Sequence, residues 1–235
     1  MGMNGKVAVI AGAAGGLGRV ITTRLADEGA RLVLLGRSKE RLDSLLSDLG
    51  LDPEEHFTAA SDLTTAEGLG AIAKTVRDKF GRVDLVINLV GGWVGGKTVV
   101  DLEAGSVQFM LDQHLWSTYH LARAFVPMMI ENDFGRVIVV TSPTASKPKA
   151  KSGAYAVGKA AQEALIMTLA AELEGSGVTA NVIQVSTIDT EHKRQTDDDP
   201  KYAGWTTPEE VASAIVYLGS DDAKQLNGIR LPLYG

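Results

Sequence analysis

Four short runs in this chain are apolar from end to end or nearly so: VAVIA at 7–11, LVLL at 32–35, LVIN at 85–88 and VIVV at 137–140. A strand with one face in water alternates apolar and polar residues. A strand that does not alternate is covered on both faces, as in a parallel sheet enclosed by helices. The full strand reading is Lys6–Ala11, Arg31–Leu35, His56–Ala60, Leu85–Asn88, Val137–Thr141, Thr179–Gln184 and Ile229–Leu233. Helical stretches lie between the strands, near 17–28, 39–48, 65–79, 103–131, 153–174 and 208–219. Strand and helix in alternation, joined by right-handed crossovers, predict an α/β chain with a three-layer, doubly wound parallel sheet of seven strands. Two helices carry start signals: Thr64 with Glu67 as a capping box, and Thr207-Pro208-Glu209-Glu210 as N-cap, first-turn proline and returning glutamate.

At 235 residues, with no repeat or linker to divide it, the chain reads as a single domain. Acids outnumber bases 29 to 23, which argues against a nucleic-acid or acidic-membrane surface. The absence of cysteine excludes disulfides and thiolate metal sites, and no metal role is assigned to any residue. No apolar run approaches the roughly 20 residues of a membrane span, and the first strand follows the N-terminus without an export leader. A cytoplasmic location is the expectation.

The chemistry concentrates in SPTASKPKAKSGAYAVGK, which runs from Ser142 through Tyr155 to Lys159. If Tyr155 opens a helix, Lys159 lies one turn along the same face. A free phenol has a pKa of about 10, and a neighbouring cation favours its anion. Bringing the phenol to roughly 7 takes about 4 kcal/mol, at about 1.4 kcal/mol per unit. A partly buried ammonium and an oxidised nicotinamide ring together supply interaction of that size. Ser142, at a strand end facing that helix, would hold a substrate oxygen.

A dinucleotide site is legible elsewhere in the chain. The first strand ends in Ala11-Gly12-Ala13-Ala14-Gly15-Gly16-Leu17-Gly18, with a helix directly after it. The spacing Gly12-x3-Gly16-x-Gly18 differs from G-x-G-x-x-G and from a P-loop. Its position still suits a pyrophosphate lying against a helix N-terminus. After the second strand comes Arg37-Ser38-Lys39, and the first acid is Glu40. An arginine that can fork onto a phosphate, with a serine beside it, favours NADP, leaving NAD as the other choice. Asp62 and Asn88 close the third and fourth strands on the same ligand-facing edge, each readable also as a turn residue.

With the glycine turn, Arg37, Asp62, Asn88, Ser142, Tyr155 and Lys159 in this order, the chain resembles the short-chain dehydrogenase/reductase family from Lys6 to Leu231. The resemblance implies a Rossmann-like domain with a nicotinamide dinucleotide along the carboxyl edge. It implies Tyr155 as general acid/base, Lys159 as the group that lowers its pKa and holds the ribose, and Ser142 as the orienting hydroxyl. Cofactor contacts are implied for Gly12, Gly16, Leu17, Gly18, Arg37, Ser38, Asp62, Leu63, Asn88, Gly91, Tyr155, Lys159, Ile188 and Thr190. It further implies a homodimer or homotetramer paired through the helices at 103–131 and 153–174.

The chain departs from the family pattern in four places. Ala11 replaces a threonine before the glycines. Asn88-Leu89-Val90-Gly91 replaces Asn-Asn-Ala-Gly, and Val185-Ser186 replaces Pro-Gly. His114 stands where an asparagine usually offers its backbone carbonyl to a water-mediated proton relay. Its ring reads either as a further member of the catalytic set that exchanges the proton itself or as packing in the helix. These departures leave a second function class open, a catalytically impaired dinucleotide-binding sensor or scaffold.

Trp93, in the loop Gly91–Gly96, reads as a cover over an apolar substrate or as a ring packed on the next helix. Lys147, Lys149 and Lys151 read as an attractor for an anionic substrate or as a solvated loop. The attractor reading allows an acyl thioester on a phosphopantetheine arm beside the simpler carbonyl or alcohol substrate, and carrier-protein β-ketoacyl reductases are the nearest functional neighbours by resemblance. Glu191–Thr206, which holds Asp197–Asp199, reads as a mobile lid or a surface loop.

Overall fold

The computed structural model describes residues 2–234. Its seven strands are β1 Val7–Ala11, β2 Arg31–Gly36, β3 Phe57–Ala60, β4 Leu85–Asn88, β5 Gly135–Thr141, β6 Val178–Gln184 and β7 Arg230–Pro232. All pair in parallel in the order β3-β2-β1-β4-β5-β6-β7. The helices are α1 Gly16–Asp27, α2 Lys39–Asp48, α3 Leu69–Phe80, α4 Ala104–Leu111, α5 Ser117–Glu131, α6 Gly153–Glu172, α7 Lys193–Thr196 and α8 Pro208–Gly219.

The unbroken apolar runs become strands with two covered faces. β1 sends Val7, Val9 and Ala11 into one core, where they meet Val76 of α3, Phe125 of α5 and Ile166 of α6. Its intervening Ala8 and Ile10 enter the opposite core with Ile21 of α1, Leu42 of α2 and Ile215 of α8. The doubly wound three-layer expectation therefore holds. Each fully buried Val, Ile or Leu contributes about 1.5–3 kcal/mol, so the two cores dominate the energetics. None of the described helices is long and apolar enough to cross a membrane.

Two local expectations are corrected. Thr64 is not a helix cap, because its N–H and hydroxyl both donate to the Asp62 carboxylate, at 3.0 and 2.7 Å. That turn competes with a helix start, and α3 begins at Leu69, after Gly68 in a left-handed conformation. The stretch 103–131 is not one regular α-helix either. A π turn at Asp112–Trp116 joins α4 to α5. The capping box on α8 forms as read, with Thr207 accepting from Glu210 N–H and the Glu210 carboxylate accepting from Thr207 N–H.

The order of the strands sets the site. The chain builds outward from β1 to β3 and then crosses to β4 on the other side of β1. Between the carboxyl ends of β1 and β4 this reversal opens a crevice, the usual place for a ligand in such sheets.

Candidate active site

At the end of β1 the chain must turn sharply past β4. Gly12 has φ of +82°, and a Cβ there would lie 3.2 Å from the Leu89 carbonyl carbon. At Gly18 a Cβ would collide with the carbonyl oxygens of Gly12 and Ala13. The two glycines therefore permit a turn that no side chain would fit, and it aims the start of α1 into the crevice. Such a helix start carries free N–H groups and a partial positive charge. The cradle fits a pyrophosphate.

One end of the crevice is a cleft of about 260 Å³ lined by Gly12, Arg37, Ser38, Arg41, Asp62, Leu63 and Gly91, among others. Ser38 caps α2 by accepting from Arg41 N–H at 3.3 Å, and it donates to Glu40 at 2.8 Å. Asp62 is held below the ordinary carboxylate range, first by the Thr64 hydroxyl and then by its backbone N–H, with Arg37 adding attraction. Arg41 escaped the sequence reading: its guanidinium donates to the Ala14 carbonyl at 2.9 Å and so ties α2 to the glycine turn. The signal for it was faint, one arginine among the exposed charges of α2.

The other end, of about 500 Å³, is lined by Gly16, Leu17, Gly18, Gly91, His114, Tyr155, Lys159 and Ile188, among others. Tyr155 and Lys159 sit on the first turns of α6, and the Lys159 Nζ lies 5.9 Å from the centroid of the Tyr155 ring. Ser142 follows β5 directly, and its hydroxyl donates to the Thr144 hydroxyl at 3.2 Å. Burial raises the phenol, and the Ser142 hydroxyl opposes that rise. Lys159 donates to the Val140 carbonyl at 2.8 Å and to Gln162 Oε1 at 3.1 Å. Burial pulls its pKa down to about 7, against the attraction of Glu163. In the protein by itself, then, the phenol is held protonated; the lowering expected from the sequence calls on the lysine together with an oxidised nicotinamide ring.

His114 belongs to this end and not to a helix surface. Its ring stands edge-on to Tyr155 with centroids 5.6 Å apart, and it fits because Gly91 and Gly158 lack side chains. Its Nε2 lies 3.2 Å from the Gly92 carbonyl oxygen. A carbonyl only accepts, so Nε2 carries the hydrogen and Nδ1 keeps a lone pair. That Nδ1 is buried and has no hydrogen-bond partner within the protein. Burial, with Lys159 nearby, lowers the pKa of the ring to about 3. The His114 backbone carbonyl accepts from the Thr118 hydroxyl at 2.7 Å.

Asn88 supports the crevice from behind. It is buried, its amide donates to Ser117 and Thr118 at 3.0 and 2.9 Å, and its Oδ1 accepts from Val90 N–H. Gln162 also donates to Thr118, at 2.9 Å. A continuous polar chain thus runs from β4 through the start of α5 to Lys159. Thr190 brings its methyl to 3.5 Å from where a Cβ of Gly16 would stand, over the start of α1.

The segment after β6 includes the short helix α7. Its base is pinned by the Ile188–Thr206 bridge, and buried Asp189 accepts from the Lys193 and Arg194 N–H groups at 2.8 and 2.9 Å. Trp93 is 67% exposed, and its ring lies against Gly95. Lys147, Lys149 and Lys151 are exposed beside it.

Residues 6–201 match the family model for short chain dehydrogenases. A curated protein of Staphylococcus aureus called an uncharacterized oxidoreductase is 31% identical over 212 residues, 90% of each chain. An L-sorbose reductase from Gluconobacter frateurii, solved with NADPH and L-sorbose, superposes with a TM-score of 0.84 at 29% identity over 99% of this chain and 96% of that one. An NAD+-bound xylitol dehydrogenase shares the fold with a TM-score of 0.87 at 24% identity, over 99% of both chains. This protein is an oxidoreductase and belongs to the short-chain dehydrogenase family.

Proposed function

We propose that this chain interconverts a small ketone and a secondary alcohol, with NADP(H) as its nicotinamide partner and Tyr155 as proton donor and acceptor. The observation that carries the reading is the meeting of a half-buried phenol, a buried ammonium and a glycine-lined helix start in one crevice. The dinucleotide, when bound, supplies or takes up the hydride. Ser142 orients the substrate oxygen, and Tyr155, kept protonated by burial, gives its proton to that oxygen, which favours reduction. Lys159 holds the ribose and, as an ammonium, stabilises the phenolate left behind. His114, lowered to about 3, does not carry protons at neutral pH and acts as an acceptor through Nδ1.

The choice of NADP is supported by Arg37 and Arg41 lining the same cleft, two guanidinium groups suited to a 2′-phosphate. Gly12, Gly16, Leu17, Gly18, Ser38, Asp62, Leu63, Gly91, Ile188 and Thr190 complete the proposed contacts, with Asn88 holding the crevice from behind. Pairing of two copies through α4–α5 and α6 is supported by Phe109, Trp116 and Val157, apolar side chains exposed there. A binding-only sensor is not favoured, because the full reacting set is present with its supporting contacts.

NADPH offered with a panel of activated ketones should be consumed by the wild-type protein. NADPH protection without consumption of any ketone would leave the binding-only reading in place. NADPH should also raise Tm more than NADH does, and equal protection would overturn the cofactor choice. The acyl-thioester option rests on Lys147, Lys149 and Lys151, and an unchanged KM after reversing all three charges would end it.

A further inference from the structure

One turn beyond Lys159 on α6 is Glu163, a carboxylate on the buried face of the helix, 3% exposed. The sequence reading passed it over, although Gln162 and Glu163 stand among alanines on a face that also buries Ile166 and Ala170. A buried carboxylate is costly unless donors surround it, and Glu163 has three. Its Oε1 accepts from the Thr141 hydroxyl at 2.6 Å and from the Gln184 amide at 2.9 Å. Its Oε2 accepts from Arg230 Nε at 2.6 Å. Thr141 ends β5 next to Ser142, Gln184 ends β6 next to Val185-Ser186, and Arg230 begins β7. One side chain thus gathers the ends of three strands onto the helix that bears Tyr155 and Lys159.

We propose that Glu163 is a positioning residue of the site, which keeps Lys159 charged and fixes the strand ends that carry Ser142 and the Val185–Ile188 loop against α6. This rests on the roles assigned above to Tyr155 and Lys159. The charges around Lys159 support it. Tyr155 and His114 face the ammonium in neutral form, while Val140 and Gln162 offer uncharged oxygens. Glu163 is the acid that opposes the cost of burying it. Arg230, half exposed behind the carboxylate, is a second cation drawing on the same charge. Without Glu163, two cations would approach each other across α6 and β7.

Two variants therefore have opposite signs. Glu163→Gln keeps the shape and removes the negative charge, so Lys159 should lose its proton at lower pH. Arg230→Gln leaves Glu163 facing Lys159 alone, so the proton should be held to higher pH. The probe is NMR titration of protein labelled with 13C at the lysine ε carbon, with the Lys159 signal identified by its loss in Lys159→Arg. The expected shift is about one pH unit or more downward in Glu163→Gln and a smaller one upward in Arg230→Gln. The alkaline limb of kcat for ketone reduction should move in the same two directions. A folded Glu163→Gln with an unmoved Lys159 midpoint, or a loss of kcat at an unmoved limb, would overturn the proposal. If Glu163→Gln does not fold, Arg230→Gln decides alone, an upward shift supporting the proposal and no shift overturning it. A wild-type protein inactive on every ketone would sink the proposed reaction, while the titration would still decide the role of Glu163.

Discussion

The two ends of the crevice are built on opposite plans. At and beside the arginine end the charged groups are exposed and held singly: Arg19, on the helix that starts there, pairs with Asp48 at 3.0 Å with both side chains about half exposed, and Ser38 turns back on its own helix. At the tyrosine end Asn88, Ser117, Thr118, Gln162 and Lys159 are buried and linked by hydrogen bonds, and beside them buried Glu163 holds Thr141 and Gln184. Exposed charges are screened by water and salt, so each acts nearly alone. Buried polar groups lose heavily when one partner goes, so they act together. The first end is therefore adjustable one residue at a time, whereas the second depends on the whole set.

The largest effect should come from Lys159→Met, which removes the ammonium and leaves the Val140 and Gln162 oxygens without their donor. Steady-state kcat for ketone reduction should fall by about two orders of magnitude or more. A fall of less than tenfold would break the contrast between the ends. Arg37→Ala should come next, cutting the preference for NADPH over NADH by about tenfold in binding titrations while kcat with saturating NADPH stays close to wild type. A large loss of kcat there would mean that the exposed end is coupled to the chemistry.

His114 gives a pH test of the buried end. Its ordinary pKa is about 6.5 and its folded value about 3, so the unfolded chain takes up the proton first. The stability tied to neutral His114 is present above about pH 6.5 and is lost as pH falls towards 3. By pH 5 the loss should be about 2 kcal/mol. Denaturant unfolding at pH 7.5 and pH 5 should show that extra loss in wild type and not in His114→Asn, and parallel curves would place the ring in contact with water. The smallest effect should be Arg19→Ala, below about 1 kcal/mol in the same assay, because its ion pair is exposed. A larger cost would show that the arginine end is also interlocked.

The sequence read best where one residue type answers one local demand. The non-alternating strands, the glycine turn after β1 and the Thr207-Pro208 helix start all stand in the structure as short-range signals. Thr64 misled because a hydroxyl before a helix can bond to a nearby side chain instead, and Asp62 offered a closer acceptor. His114, Gln162 and Glu163 were hard to weigh for a different reason. The surroundings of His114 come from the loop after β4 and from α6, those of Gln162 from the start of α5, and those of Glu163 from β5, β6 and β7, none of them a close neighbour in sequence. The lowered Lys159 and the protonated phenol follow from burial, which the spacing of Tyr155 and Lys159 alone does not show.

The most direct measurement of the central claim is kcat for NADPH-dependent reduction of an activated ketone by wild type and by Tyr155→Phe, after confirming that both bind NADPH equally. The account predicts a loss of about 10²–10⁴-fold in the variant with binding intact. Equal rates in the two proteins would contradict it.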